Sequence, residues 1–119
     1  MANTLEKKLD FTSTAELLRY LGIPRTYNGF DQLAMAVELA VEDENRLLHV
    51  TREVYQVVAR RYGISVQSVL KNIRTVINVC WRGGGRDRLV ELTRYCEQSA
   101  PATDEFIDLL TDYIKRNRG

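Results

Sequence analysis

Hydrophobic positions along this chain recur every three to four residues, and no stretch alternates with a period of two. A helix returns a side chain to the same face after about 3.6 residues and a strand after two, so the pattern predicts helices and no sheet. Residues 1–12 lack the pattern and read as a polar tail or linker ahead of one helical domain over 13–119. Ser13 opens the first helix as a capping box with Glu16. Leu17, Leu18 and Leu21 form its buried stripe, and Gly22 before Pro24 stops it. Asn28-Gly29 reads as a turn, and Asp31 starts a second helix through Leu33, Val37, Leu39 and Ala40. Leu47 to Val50 reads as a short helical turn.

From Thr51 the signal sharpens. Val54, Tyr55, Val58, Ala59 and Tyr62 share a face, with Thr51 as the expected N-cap and Gly63 as the stop. Ser65 caps the next helix, which runs from Val66 to about Arg82 and breaks at Gly83-Gly84-Gly85. A fifth helix is expected from about Arg86 to Cys96. Ala100-Pro101-Ala102 is a loop, and Thr103 caps a last helix that carries Phe106, Leu109, Leu110 and Tyr113, with Asp104 and Glu105 in its first turn. The expected architecture is all-α, about six helices in a compact bundle. Within it, residues 51–82 have the form of a helix-turn-helix. Ala59 is small enough for a close crossing, Gly63 supplies the left-handed turn, and Ile64, Val69, Val58 and Tyr62 are expected to plug the angle. Asn72 falls where such a motif often carries an apolar residue.

On a helical wheel Val66, Val69, Ile73, Val76, Ile77 and Cys80 form the core face of the second helix of the pair. Opposite lie Gln67, Ser68, Lys71, Arg74, Thr75 and Asn78, with Leu70 on the flank. This face holds no acid; hydroxyls, amides and cations of this kind read base edges in a major groove. Gln67, Ser68, Lys71, Arg74 and Thr75 are the candidate base-reading residues. The net charge of +1 hides an asymmetry. Residues 51–88 hold eight Lys/Arg against two acids, a balance of +6, whereas 1–50 carry −3 and 89–119 carry −2. No acid stands between Arg60 and Arg86. A basic middle third points to a polyanion. Arg52, Arg60 and Arg61 on the first helix of the pair, with Arg82 and Arg86 around the glycines, are the candidate phosphate contacts. Arg88 belongs to the same basic group.

The chain resembles the C-terminal DNA-binding effector domain of the response regulator that initiates sporulation in endospore-forming bacteria. The matching residues are Leu21-Gly22-Ile23-Pro24, Gly29-Phe30 with Leu33, Thr51 and Tyr55 with Ala59, then Val69, Ile73-Arg74, Ile77, Val79 and Trp81, and finally Pro101 with Glu105-Phe106-Ile107. The ordered set spans roughly Ser13 to Arg116. The resemblance implies about six helices, binding to short promoter boxes in tandem copies on double-stranded DNA, and contact with an RNA polymerase sigma factor. The chain departs from the family's usual residues at Ser68, Leu70 and Lys71, so the resemblance carries over DNA binding and not the target box. It shows no receiver domain, so it is expected to be a stand-alone relative or an excised domain, a monomer or weak dimer off DNA. A protein–protein adaptor that occupies a sigma factor or a full-length regulator is the alternative.

Other chemistry finds little support. His49, Cys80 and Cys96 lack metal-ligand spacing, so no metal and no cofactor is expected. Gly83-Gly84-Gly85 lacks the flanking residues of a phosphate loop and reads first as a helix stop. No nucleophile–base set suggests an enzyme. Glu42, Asp43 and Glu44 read as a solvated end. The tyrosines and Trp81 are expected to fill the core. No apolar run approaches a membrane span and no secretory signal opens the chain, so the expected location is the cytoplasm, at the bacterial nucleoid, with reduced thiols.

Overall fold

In the computed structural model, which describes residues 13–118, the chain is built from helices, with no strand among the described residues. The α-helices are α1 (Thr14–Tyr20), α2 (Asn28–Glu42), α3 (Gln56–Tyr62), α4 (Val66–Arg82), α5 (Gly85–Thr93) and α6 (Thr103–Arg118). A 3-10 helix, Glu44–His49, and a π-helical turn, Thr51–Tyr55, join α2 to α3. The polar tail expected over residues 1–12 lies outside the described residues. The all-α bundle of about six helices is the observed fold.

α2 is the central element and packs chiefly on α6 and α4. Its buried side chains Phe30, Leu33, Ala36, Val37 and Ala40 meet Ile73, Val76 and Ile77 of α4 and Phe106, Ile107 and Leu110 of α6 in one core. Each large aliphatic or aromatic residue fully withdrawn from water contributes on the order of 2 kcal/mol before the entropy of ordering is subtracted. α1 is tied to α2 by the Thr14 hydroxyl, which donates to the Glu38 carboxylate. The Ser13 hydroxyl accepts from the Glu16 amide at 3.2 Å, as its capping role requires.

Several local expectations need correction. Asn28-Gly29 is the first turn of α2 rather than a turn before it, so the helix begins three residues ahead of Asp31. Thr51 is not an N-cap. Val50 before it is helical (φ −60°, ψ −36°), and the chain runs from the 3-10 helix into the π turn with no side-chain cap. In that turn the Gln56 amide donates five residues back to the Thr51 carbonyl, and Arg46 Nη1 donates to the Glu53 carbonyl at 2.8 Å from outside. α5 stops at Thr93, short of Cys96. The Thr93 hydroxyl donates to the Leu89 carbonyl (2.7 Å) and accepts from the Tyr95 amide (3.3 Å), and Arg94 takes φ +63°. Thr103 is inside α6, buried, with no hydrogen-bond partner for its hydroxyl among the described residues. The start of α6 is held instead by Glu105 Oε1, which accepts from the Ala102 amide at 3.4 Å.

The acids at the end of α2 form a solvated end, as expected, and also find partners. Glu42 lies 3.7 Å from Arg46, Asp43 caps the 3-10 helix at the Asn45 amide, and Glu44 pairs with Lys115 at 3.0 Å. Tyr27 and Tyr62 are exposed, so the aromatic set does not all serve the core. Tyr55, Tyr95 and Tyr113 do, and Trp81 meets Tyr95 edge-on with ring centroids 5.7 Å apart.

Candidate nucleic-acid interface

The geometry of the helix pair follows from three residues between α3 and α4. Gly63 takes φ +66°, and a Cβ there would meet nothing within 4 Å, so conformation and not space demands glycine. The Ile64 amide donates to the Ala59 carbonyl (3.0 Å) and the Gly63 amide to the Arg60 carbonyl (3.4 Å), which satisfies the end of α3. The Ser65 hydroxyl then accepts from the Ser68 amide at 3.1 Å and starts α4. Val58, Ala59, Val69 and Ile73 are buried under the turn and Ile64 packs against them. Tyr62 does not plug the angle as expected: its ring is exposed and carries the Arg61 guanidinium 5.9 Å from its centroid.

α4 buries Val69, Ile73, Val76, Ile77 and Cys80, with Val66 half-buried. Burial pushes the Cys80 thiol up to about 11, which keeps it protonated. Gln67, Lys71, Arg74 and Thr75 are exposed on the outer side, and Ser68 is half-buried beside them. Two of these hydroxyls are partly committed. Ser65 donates to Ser68 Oγ at 3.0 Å, so Ser68 keeps its own proton. Thr75 donates to the Lys71 carbonyl at 2.9 Å and retains an acceptor oxygen and a methyl. Thr75, Asn78, Val79, Arg82 and Gly83 line a shallow depression that continues this side toward the end of α4. Leu70 is half-buried against the core.

Asn72 is the position that sequence reasoning left unexplained. It is half-buried, and its Nδ2 donates at 3.1 Å to Oε1 of Gln32, a residue of α2 with 5% exposure. The α2 and α4 backbones also touch at this point: a Cβ on Gly29 would lie 2.2 Å from the Asn72 carbonyl oxygen. The polar side chain in an apolar position is thus answered by a buried polar partner.

The basic residues divide into two groups. Arg60, Arg61, Lys71, Arg74 and Arg82 are exposed and make no ion pair among the described residues. Arg52, 69% exposed, lies 3.7 Å from Glu53, so part of its charge is countered. Arg86 is an exposed residue whose guanidinium lies over the Trp81 ring, 4.8 Å from its centroid. Arg88 is exposed but held against α1: Nη1 donates to the Tyr20 carbonyl at 2.7 Å and the guanidinium covers the Tyr20 ring at 4.8 Å. The glycine run is a helix junction rather than an open cradle, because a Cβ on Gly85 would lie 2.1 Å from the Leu21 carbonyl oxygen.

The outer side of α4 thus presents donors that cannot accept (Lys71, Arg74) and an amide that does both (Gln67), with cations at the ends of both helices that make no ion pair among the described residues. Among the described residues no three of His, Cys, Asp and Glu form a metal-ligating group, and no helix is long and apolar enough to cross a membrane. Comparison with protein families matches residues 14–114 to the family described as "Sporulation initiation factor Spo0A C terminal".

Proposed function

This chain belongs to the family of Spo0A C-terminal domains, whose members are DNA-binding transcription regulators rather than enzymes, and from that premise we propose that it reads specific sequences of double-stranded DNA with the outer side of α4. What carries the reading is the acid-free face of Gln67, Ser68, Lys71, Arg74 and Thr75, set beside Arg60, Arg61 and Arg82, which make no ion pair among the described residues. In a helix-turn-helix the second helix enters the major groove and the first crosses the backbone. Lys71 and Arg74, about one turn apart, address neighbouring base pairs, and Arg74 suits a bidentate pair with guanine. Arg52, Arg60, Arg61, Arg82 and Arg86 contact phosphates and set register, which is positioning without sequence information. The family membership supports promoter boxes as the target. Tandem boxes would let a weak interface between copies gain from high effective concentration. A sigma factor is the protein partner that this reading implies.

Selection from randomised duplexes tests the proposal. Arg74→Ala is expected to lose about 1–3 kcal/mol on the preferred site and to relax the motif at one position. Arg60→Ala is expected to weaken all sequences about equally. Uniform weakening by Arg74→Ala would make Arg74 a backbone contact only. Binding to duplex DNA that is undetectable even at low salt would favour the adaptor.

A further inference from the structure

Asn72 stands at the edge of the outer side of α4. It follows Lys71 directly, and it shares a helix flank with Ser68 four residues before and Thr75 three residues after. Its side chain nevertheless serves α2. Nδ2 donates to Gln32 Oε1 at 3.1 Å, and the bond is sheltered because Gln32 is buried and Gly29 brings the two backbones into contact. That bond uses one N–H of the carboxamide and draws Nδ2 toward buried Gln32, away from the outer side of α4.

We infer that Gln32 is a specificity-determining residue that acts through Asn72: by holding the Asn72 carboxamide against α2, it withholds from the DNA an amide of the kind that reads adenine. The inference rests on the reading of α4 as the base-reading helix. Asparagine pairs with adenine through two hydrogen bonds, so whether this amide faces α2 or the groove decides a base preference. Gln32 contacts no base itself and is a positioning residue. Leucine at 32 fills similar space and offers no acceptor, which leaves Asn72 Nδ2 a buried-edge donor with no partner. An unpaired donor of that kind is costly, so the side chain turns outward to water or to DNA.

The experiment uses the full chain in four forms: wild type, Gln32→Leu, Asn72→Ala and the double variant. Each is taken through selection on randomised duplexes and through urea unfolding. The wild type selects a motif, and Asn72→Ala selects the same one, because Asn72 does not read bases while Gln32 holds it. Gln32→Leu selects a motif with adenine newly enriched at one position, by roughly 5- to 100-fold, and the double variant loses that enrichment. If Gln32→Leu does not fold, Gln32→Met, unbranched and also without a strong acceptor, carries the test. The inference is overturned if the acceptor-less variant keeps the wild-type motif and binds every sequence more weakly in step with its lost stability. It is also overturned if the new preference survives Asn72→Ala, or if Asn72→Ala alone changes the motif. A wild type that binds DNA with no preference would instead overturn the reading of α4, and the inference with it, before any variant is compared.

Discussion

Arg88 donates from Nη1 to the Tyr20 carbonyl oxygen at 2.7 Å while its guanidinium covers the ring of the same residue at 4.8 Å. The Tyr20 hydroxyl in turn donates to Glu91 at 3.0 Å, so α1 is pinned to α5 from both sides. An arginine used this way stabilises the fold and offers little to a phosphate. Arg88→Ala is expected to cost about 1 kcal/mol of stability in urea unfolding, since the pair is partly open to solvent. Its salt dependence of DNA binding stays that of the wild type. If Arg52, Arg60, Arg61, Arg82 and Arg86 include about four or five phosphate contacts, as proposed, the wild-type slope of log affinity against log salt is expected to be roughly −4. Arg60→Ala or Arg82→Ala flattens it by about one unit. Flattening by Arg88→Ala would return that residue to the interface.

Two glycines separate crowding from conformation. Gly29 has no room for a Cβ against Asn72, and Gly63 has room and a left-handed backbone. Gly29→Ala gains the helix preference of alanine, about 1 kcal/mol, yet must push the α2 and α4 backbones away from each other and is expected to lose at least about 2 kcal/mol net. Gly63→Ala is expected to cost roughly 1 kcal/mol from backbone strain. Denaturant unfolding of both variants checks the order, which reverses if α2 can move away from α4 freely.

The two thiols differ in reach. Cys80 is buried and its thiol is pushed up to about 11 by that burial, whereas Cys96 is exposed beyond α5. A small disulfide reagent at pH 8 is expected to modify Cys96 promptly and Cys80 only as fast as the protein opens. Both react at once in denaturant. Prompt reaction of Cys80 in the native protein would show that α4 does not seal its core side.

Asp108 supplies a pH dependence. Desolvation first, then the charges of Asp112, Glu44 and Asp104, hold its carboxyl above the ordinary aspartate range. A carboxyl raised in the folded state favours folding in its protonated form. That contribution is complete below the unfolded aspartate range and is lost as pH rises through the folded value. Asp108→Asn is therefore expected to raise the melting temperature at pH 7 and to change it little near pH 3. Thermal unfolding at the two pH values decides, and a lower melting temperature at pH 7 would show Asp108 to be stabilised as an anion.

Much of the helix-turn-helix was legible in the chain because its determinants are local. Gly63 and Ser65 act within one turn of themselves, so the end of α3, the start of α4 and the span Val66–Arg82 follow from neighbours a few residues apart. The inward side of α4 follows from periodicity alone. Thr51 and Thr103 show the limit of that logic. Each is a good capping residue, but Val50 is already helical and the α6 start is held by Glu105, so neither hydroxyl caps.

By itself the sequence determined an all-α chain with a basic middle third and a polar, acid-free side on one helix, because periodicity and charge are properties of the order of residues. Only the tertiary structure decided which arginines remain unpaired and why Gly29, Gln32 and Asn72 belong together. Tyr20 lies 68 positions from Arg88, and Gln32 lies 40 from Asn72. Such partners meet through packing of α1 on α5 and α2 on α4, and no local spacing encodes the meeting. A turn glycine and a glycine pressed against a carbonyl are the same letter in the chain. What distinguishes them is the neighbour that the fold brings within reach.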